Sequence, residues 1–231
     1  MITAIPYLGF LTPSVVTASI GTYLMMVDSS SVDQTGNFLT AALDNTAVGD
    51  LLVIAVASEN DSNSDNVVNM SSSPSYVWTQ AIVADGVTNA GACEIWWAKS
   101  SGTGAISVIS QWSSGGHHCA VLYRISGSEA SPSGNTAKDI ATNQPLMPFT
   151  SSRDNSIVIG IASDWNADNG TRTYRATPVS ESYYVYLAGI FTTIHWWKQA
   201  ATNGSKYGMG YTAPASTTNA INCICYEIRT P

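Results

Sequence analysis

Residues 51–60 read Leu51-Leu52-Val53-Ile54-Ala55-Val56-Ala57-Ser58-Glu59-Asn60. The first seven are aliphatic with no polar alternation. A run of that kind predicts a central strand buried on both faces rather than a half-solvated one. The same pattern returns at Ser156-Ile157-Val158-Ile159-Gly160-Ile161-Ala162-Ser163-Asp164-Trp165. Each run follows an aspartate, Asp50 or Asp154, and each ends in Ala-Ser-acid, which pairs Ser58 with Ser163 and Glu59 with Asp164.

Two more matches lie further along, in the same order and at nearly constant spacing. Ile95-Trp96-Trp97-Ala98-Lys99 matches His195-Trp196-Trp197-Lys198, and Ala120–Ile125 matches Cys223–Ile228. An internal repeat therefore organises the chain. Around these anchors the first half predicts strands near 76–83, 92–99, 105–112 and 118–126. The second predicts strands at 156–163, 183–191, 192–200, 206–211 and 220–229, broken by Ser, Gly and Asn turns. No window combines helical apolar spacing with caps at both ends. The expected fold class is all-β: a two-sheet antiparallel β-sandwich, jelly-roll-like, built from two sequence-related halves. Residues 1–30 read as an N-terminal arm and first strand, and residues 31–231 as the sandwich. Its halves span about 31–126 and 151–231. The Ser- and Pro-rich stretch 127–150 reads as an exposed crossover loop.

Composition narrows the function. Of 231 residues 45% are hydrophobic, enough for a sizeable core. Only 11% are charged, against about 25% in ordinary soluble domains, so the surface is hydrated but weakly charged and suits a packed assembly. The net charge is −7, and the nine Lys and Arg residues form no run, which argues against phosphate-backbone binding and so against nucleic acid. No stretch approaches the roughly 18 apolar residues of a membrane span, so no membrane insertion is expected. The opening Met1–Val16 lacks the basic start and apolar core of a secretory signal. Its apolar residues Ile5, Tyr7, Leu8, Phe10 and Leu11 predict an arm that docks on its own body or on a neighbouring copy, consistent with a homo-oligomer.

Several short elements together resemble a diffuse group of bacteriophage and prophage proteins with jelly-roll-like sandwiches. They are Val48-Gly49-Asp50-Leu51-Leu52-Val53, Val77-Trp78-Thr79, Ile95-Trp96-Trp97-Ala98-Lys99 and Val121-Leu122-Tyr123-Arg124-Ile125-Ser126-Gly127. Two departures stand out: Val77 replaces the glycine before Trp78, and Ile125-Ser126 intervene before Gly127. The resemblance spans about residues 35–230. It implies a virion structural part (capsid decoration, head fibre, or tail and adhesin module) assembled in the host cytoplasm, with other virion proteins as partners. It carries no catalytic residues and no cofactor.

Candidate sites follow from aromatic and polar side chains. In Trp96-Trp97 and Trp196-Trp197 adjacent side chains leave opposite faces of a strand, so one ring of each pair enters the core and the other faces outward, into an interface, or under further cover within the fold. With Trp165, Tyr7 and Phe10 these rings are the candidate binding residues, for a subunit interface or for a host surface glycan. A carbohydrate-binding or host-receptor-binding module is thus the alternative to virion assembly. The loops Glu59–Asn66 and Asp164–Gly170 alternate carboxylates and amides. Arg175 stands where a calcium loop needs a bidentate Glu, so they read as solvated Asx turns. His117-His118-Cys119 and Cys93 lack zinc spacing. The four cysteines read as buried hydrophobes, with Cys119–Cys225 or Cys93–Cys223 bridges as the other reading. Nucleophile-elbow and P-loop patterns are absent, so no enzyme is expected. A glycosidase pair drawn from Glu59, Asp85, Glu94 and Asp164 is the remaining catalytic reading, with Glu59 and Asp164 meeting near a pseudo-twofold axis.

Overall fold

The structure, a computed structural model, describes residues 25–59, 66–85, 89–129, 131, 133–200 and 202–230. The expected arm, with Tyr7 and Phe10, lies outside the described residues. Sixteen strands and no helix occur among the described residues. The first eight are β1 (Met25–Thr35), β2 (Phe38–Leu43), β3 (Leu51–Ser58), β4 (Val67–Ser73), β5 (Thr79–Ala84), β6 (Ala92–Lys99), β7 (Ile106–Trp112) and β8 (His117–Ser126). The second eight are β9 (Ser133–Thr142), β10 (Leu146–Thr150), β11 (Ile157–Asp164), β12 (Thr173–Tyr174), β13 (Ser180–Leu187), β14 (Phe191–Gln199), β15 (Lys206–Ala213) and β16 (Ile221–Ile228).

The all-β sandwich expected from the sequence is what forms, but with four sheets rather than two. One five-stranded sheet runs β1-β8-β3-β6-β5 and faces the three-stranded β2-β7-β4. The other five-stranded sheet runs β13-β14-β11-β16-β9 and faces β10-β15-β12. Adding eight to each strand number of the first pair of sheets gives the second pair. The two large sheets then pack on each other, so the order of layers is three, five, five, three. The reason for four sheets lies in β3. Leu52, Ile54 and Val56 enter the core beneath β2-β7-β4, while Leu51, Val53, Ala55 and Ala57 enter the core between the large sheets. A strand apolar on both faces needs two covers, and the opposite half supplies only one.

β11 repeats the arrangement. Ile157, Ile159 and Ile161 face the first half, and Val158 and Ala162 face inward to their own small sheet. In the outer sheets β2, β7 and β10 alternate instead. β2 and β10 bury every second residue, as half-solvated strands do. The shared core between the large sheets is the largest of the three, and includes Tyr123, Tyr226, Ile224, Ile95 and Phe191. Across it β3 lies on β11, β5 on β9 and β1 on β13, while β16 lies on β5 and β6.

The pairing registers correct the sequence alignment by one residue. Ser58 pairs with His118 and Ala92, and its counterpart in the second half, paired with Ile221 and Thr192, is Asp164 rather than Ser163. A one-residue slip exchanges the two faces of a strand, and only this register puts the seam-facing residues of β3 and β11 on the same side. Contacts at the strand starts agree with it. Lys99 Nζ donates to Gly49 O at 3.2 Å, and Gln199 Nε2 donates to Asn155 O. Gly49 and Asn155 both have positive φ, 87° and 55°. Arg124 pairs with the carboxylate of Asp50, whereas at the matching place Ser156 Oγ donates to Glu227 at 2.7 Å. Gly49, Asp50, Lys99 and Arg124, which carry much of the phage-like pattern, thus converge on one strand end and lock it.

The stretch 127–150 is not a loop: it contains β9 and β10. β9 pairs on one side with β16 and is otherwise an edge, so its Ser, Asn, Thr and Lys residues carry little apolar signal. The four cysteines are free and buried, in keeping with the hydrophobe reading; Cys93 and Cys119 lie in the seam, Cys223 and Cys225 beneath β10-β15-β12.

Candidate functional site

The tryptophan pairs are absorbed by the layers. Trp96 packs beneath β2-β7-β4 and Trp196 beneath β10-β15-β12, while Trp97 and Trp197 pack on the seam core. β6 and β14 belong to middle sheets, so both of their faces have cover, although Trp97 and Trp197 are only half-buried and Trp197 lines a surface hollow. Trp196 is fully buried because its indole lies over Gly160. At the matching place in the first half stands Ile54, and Trp96 stays half-buried. Trp96 Nε1, Gln80 Nε2 and Val67 N all donate to the buried carboxylate of Glu94, at 2.8, 2.7 and 2.7 Å. Burial holds the Glu94 pKa above the usual range against the pull of these three bonds. Glu94 is therefore an internal acceptor, and Ile194 occupies its place in the second half.

Of the four carboxylates in the glycosidase reading, Glu94 is held inside the fold with Asp85 close enough to raise its pKa, and Asp164 is committed to its own loop. Asp164 accepts from Asn166 N at 3.0 Å and Asp168 N at 3.2 Å, the Asx-turn bonds expected of this loop, but its carboxyl is buried rather than solvated. Burial, with the Asp168 charge beside it, pushes its pKa up to about 7 against those two bonds. His118 stacks on Trp112 at 4.3 Å, and His117 turns to the other side, 3.9 Å from Asp33. Among the described residues no His, Cys, Asp and Glu cluster is arranged to hold a metal ion.

One constellation does gather at the seam. β3 lies on β11, and the ends of the two strands meet. Ser163 Oγ donates to Ser58 O at 2.7 Å, and Ala220 O accepts from both Gly91 N and Trp165 N. Gly91 is required there, since a Cβ would sit 2.7 Å from the backbone of Ser163. The next residues, Glu59 and Trp165, hold equivalent register positions and line one cleft of about 270 Å³ with Asn166, Gly189 and Ile190. Glu59 is fixed by exchanging bonds with His117: its N–H donates to His117 O, and its carboxylate accepts from His117 N at 3.2 Å. The tight β13–β14 turn, with Gly189 at φ 72° and Ile190 N donating to Leu187 O, forms the remaining wall.

Sequence reasoning marked Trp165 and Glu59 separately. It missed their meeting, since it matched Glu59 to Asp164, and it had no signal for Gly189-Ile190. Two other hollows lie by Lys99, whose ammonium is bonded to Gly49 and Ser128, and by Trp197, Pro178 and Val179. Comparison with protein-family models, curated proteins and solved structures finds no match for this chain.

Proposed function

We propose that this chain is a non-catalytic structural protein that works through assembly surfaces, and that it serves as a virion component of the capsid-decoration or tail-associated kind. The observation that carries the assembly part is the outward face of β2-β7-β4. In register across it stand Phe38, Gln111 and Asn69, then Thr40, Ile109 and Ser71, then Ala42, Ser107 and Ser73. None of the nine is charged, and Phe38 is 56% exposed. A broad sheet face without charge lacks the usual guard against association. The opposite end of the stack is similar. Leu146, Pro148 and Thr150 lie beside Gly210, Gly208 and Lys206, and only Lys206 bears charge.

The strand order supports a jelly-roll reading of each half. Strands one, eight, three and six face two, seven and four, with the fifth carried over to the larger sheet. The virion part rests on the motif resemblance. Light scattering of the purified chain tests the proposal. A discrete oligomer is expected, falling to monomer with Thr40→Lys and Ile109→Lys together or on removal of residues 1–14. A chain that is monomeric at every concentration, unchanged by either alteration, would overturn it.

A further inference from the structure

We infer that the seam cleft is a binding site for one cationic group, a guanidinium or an alkylammonium of side-chain size. Most of its backbone and amide donors are spent inside the protein, which leaves the indole N–H of Trp165 and the N–H of Gly189. Trp165 N donates to Ala220 O, Ile190 N to Leu187 O and Asn166 N to Asp164 Oδ1. Both hydrogens of the Asn166 amide are committed, to Asp168 Oδ2 and Thr217 Oγ1, each at 3.0 Å. The cleft still offers a carboxylate from Glu59, the half-exposed indole of Trp165 and the carbonyl oxygen of the Asn166 side chain. Among the described lining residues none is cationic, and the chain as a whole carries −7.

An acceptor-rich, anionic cleft with one aromatic face disfavours anions. To sugars, whose hydroxyls need donors as well as acceptors, it offers only the indole N–H of Trp165 and the N–H of Gly189 as donors. It suits a cation that stacks on the indole while its N–H groups reach the carboxylate. The volume of about 270 Å³ lies below the usual range for drug-sized ligands and matches a single such group. The repeat adds an independent reason. Glu59 and Trp165 hold equivalent positions of the two halves, so a symmetric pair would give two carboxylates or two indoles. Here each half contributes one of the two complementary parts of a cation site.

The cation could be a free small molecule or the arginine or lysine side chain of a partner chain. The test is titration of the intact chain with methylguanidinium chloride, tetramethylammonium chloride and N-acetylarginine amide. Binding is read from the Trp165 indole N–H resonance, assigned with Trp165→Phe. A saturable shift is expected with a dissociation constant of about 1 mM, the scale of one cation–π contact with one charge-assisted hydrogen bond, weakening as salt is raised. Glu59→Gln, which keeps an acceptor for His117 N, should weaken binding about tenfold. Trp165→Ala should do the same, read from the shifts of the Gly189 and Ile190 amides. Tighter binding of N-acetylarginine amide than of methylguanidinium assigns the site to a partner's side chain, and equal binding assigns it to a free cation. No saturable shift with any of the three, the same affinity in Glu59→Gln, or a preference for methyl glucoside would overturn the inference.

Discussion

Replacing Gly160 by alanine puts a methyl group where the indole of Trp196 lies. A Cβ there would be 2.6 Å from Trp196 Nε1 and nearer still to the ring carbons, where carbon contacts settle at about 3.5–4.0 Å. The ring would have to retreat by about 1 Å. It has little room, because Tyr174 stands 5.7 Å and Tyr211 6.2 Å away by ring centroid, the latter edge-on. Over-packing of a rigid core costs about 1–3 kcal/mol, and an indole held between two other rings belongs at the upper end, about 3 kcal/mol. In a chain of this size each kcal/mol moves Tm by about 2–4 °C, so Gly160→Ala should melt about 6–12 °C below the parent. Thermal unfolding followed by near-ultraviolet circular dichroism measures this. Adding Trp196→Leu to the alanine variant should recover part of the loss, with a coupling of about 1–3 kcal/mol. A Gly160→Ala protein within about 0.5 kcal/mol of the parent, or strictly additive losses, would refute the packing argument.

Other consequences are as direct. Glu94→Ile, which copies Ile194, strands three donors near a buried site and should cost about 3 kcal/mol or more in urea unfolding; an unchanged midpoint would contradict the internal-acceptor role. Arg124→Ala leaves the buried Asp50 carboxylate without its cation and should lower stability by about 3–5 kcal/mol by the same assay. Burial pushes His195 down to about 3, so between that pH and 6.5 the unfolded chain binds the proton and the folded one does not. Stability from this site is therefore lost as pH falls through that window, and His195→Ile, copying Ile95, should remove the loss in a pH series of melts. Asp164 has the opposite sign. With its pKa raised from 3.8 to about 7, its contribution is complete below the lower value and is lost as pH rises, so Asp164→Asn should flatten stability between them.

The middle of the molecule was legible in the sequence because burial on two faces leaves a plain trace. The runs at Leu51–Ala57 and Ile157–Ala162 became β3 and β11, and the Trp-Trp segments became β6 and β14. What the sequence hid lies at the outside. β4, β9 and β12 are short or edge strands of Ser, Thr and Asn, whose alternation is faint because one face meets water. β7 and β15 were expected, at 105–112 and 206–211, but without their partner strands the small sheets did not show as layers, and the cover over Trp96 and Trp196 stayed hidden. The site was half legible. Trp165 and Glu59 stood out as residues, but similarity of Ala-Ser-acid favoured a register one residue off, and only cross-strand pairing reveals that Glu59 and Trp165 are counterparts.

The central claim is that both halves form one body around the core between the large sheets. Native-state hydrogen exchange across a urea series tests it most directly, by comparing the amides of β3 and β8 with those of β11 and β16. If the claim holds, all four strands exchange through a single opening of equal free energy and equal urea dependence, since neither half can open without exposing Leu51, Val53, Ile159 and Tyr226 together. Two separate openings, with one half fully exchanged while the other remains protected, would contradict it.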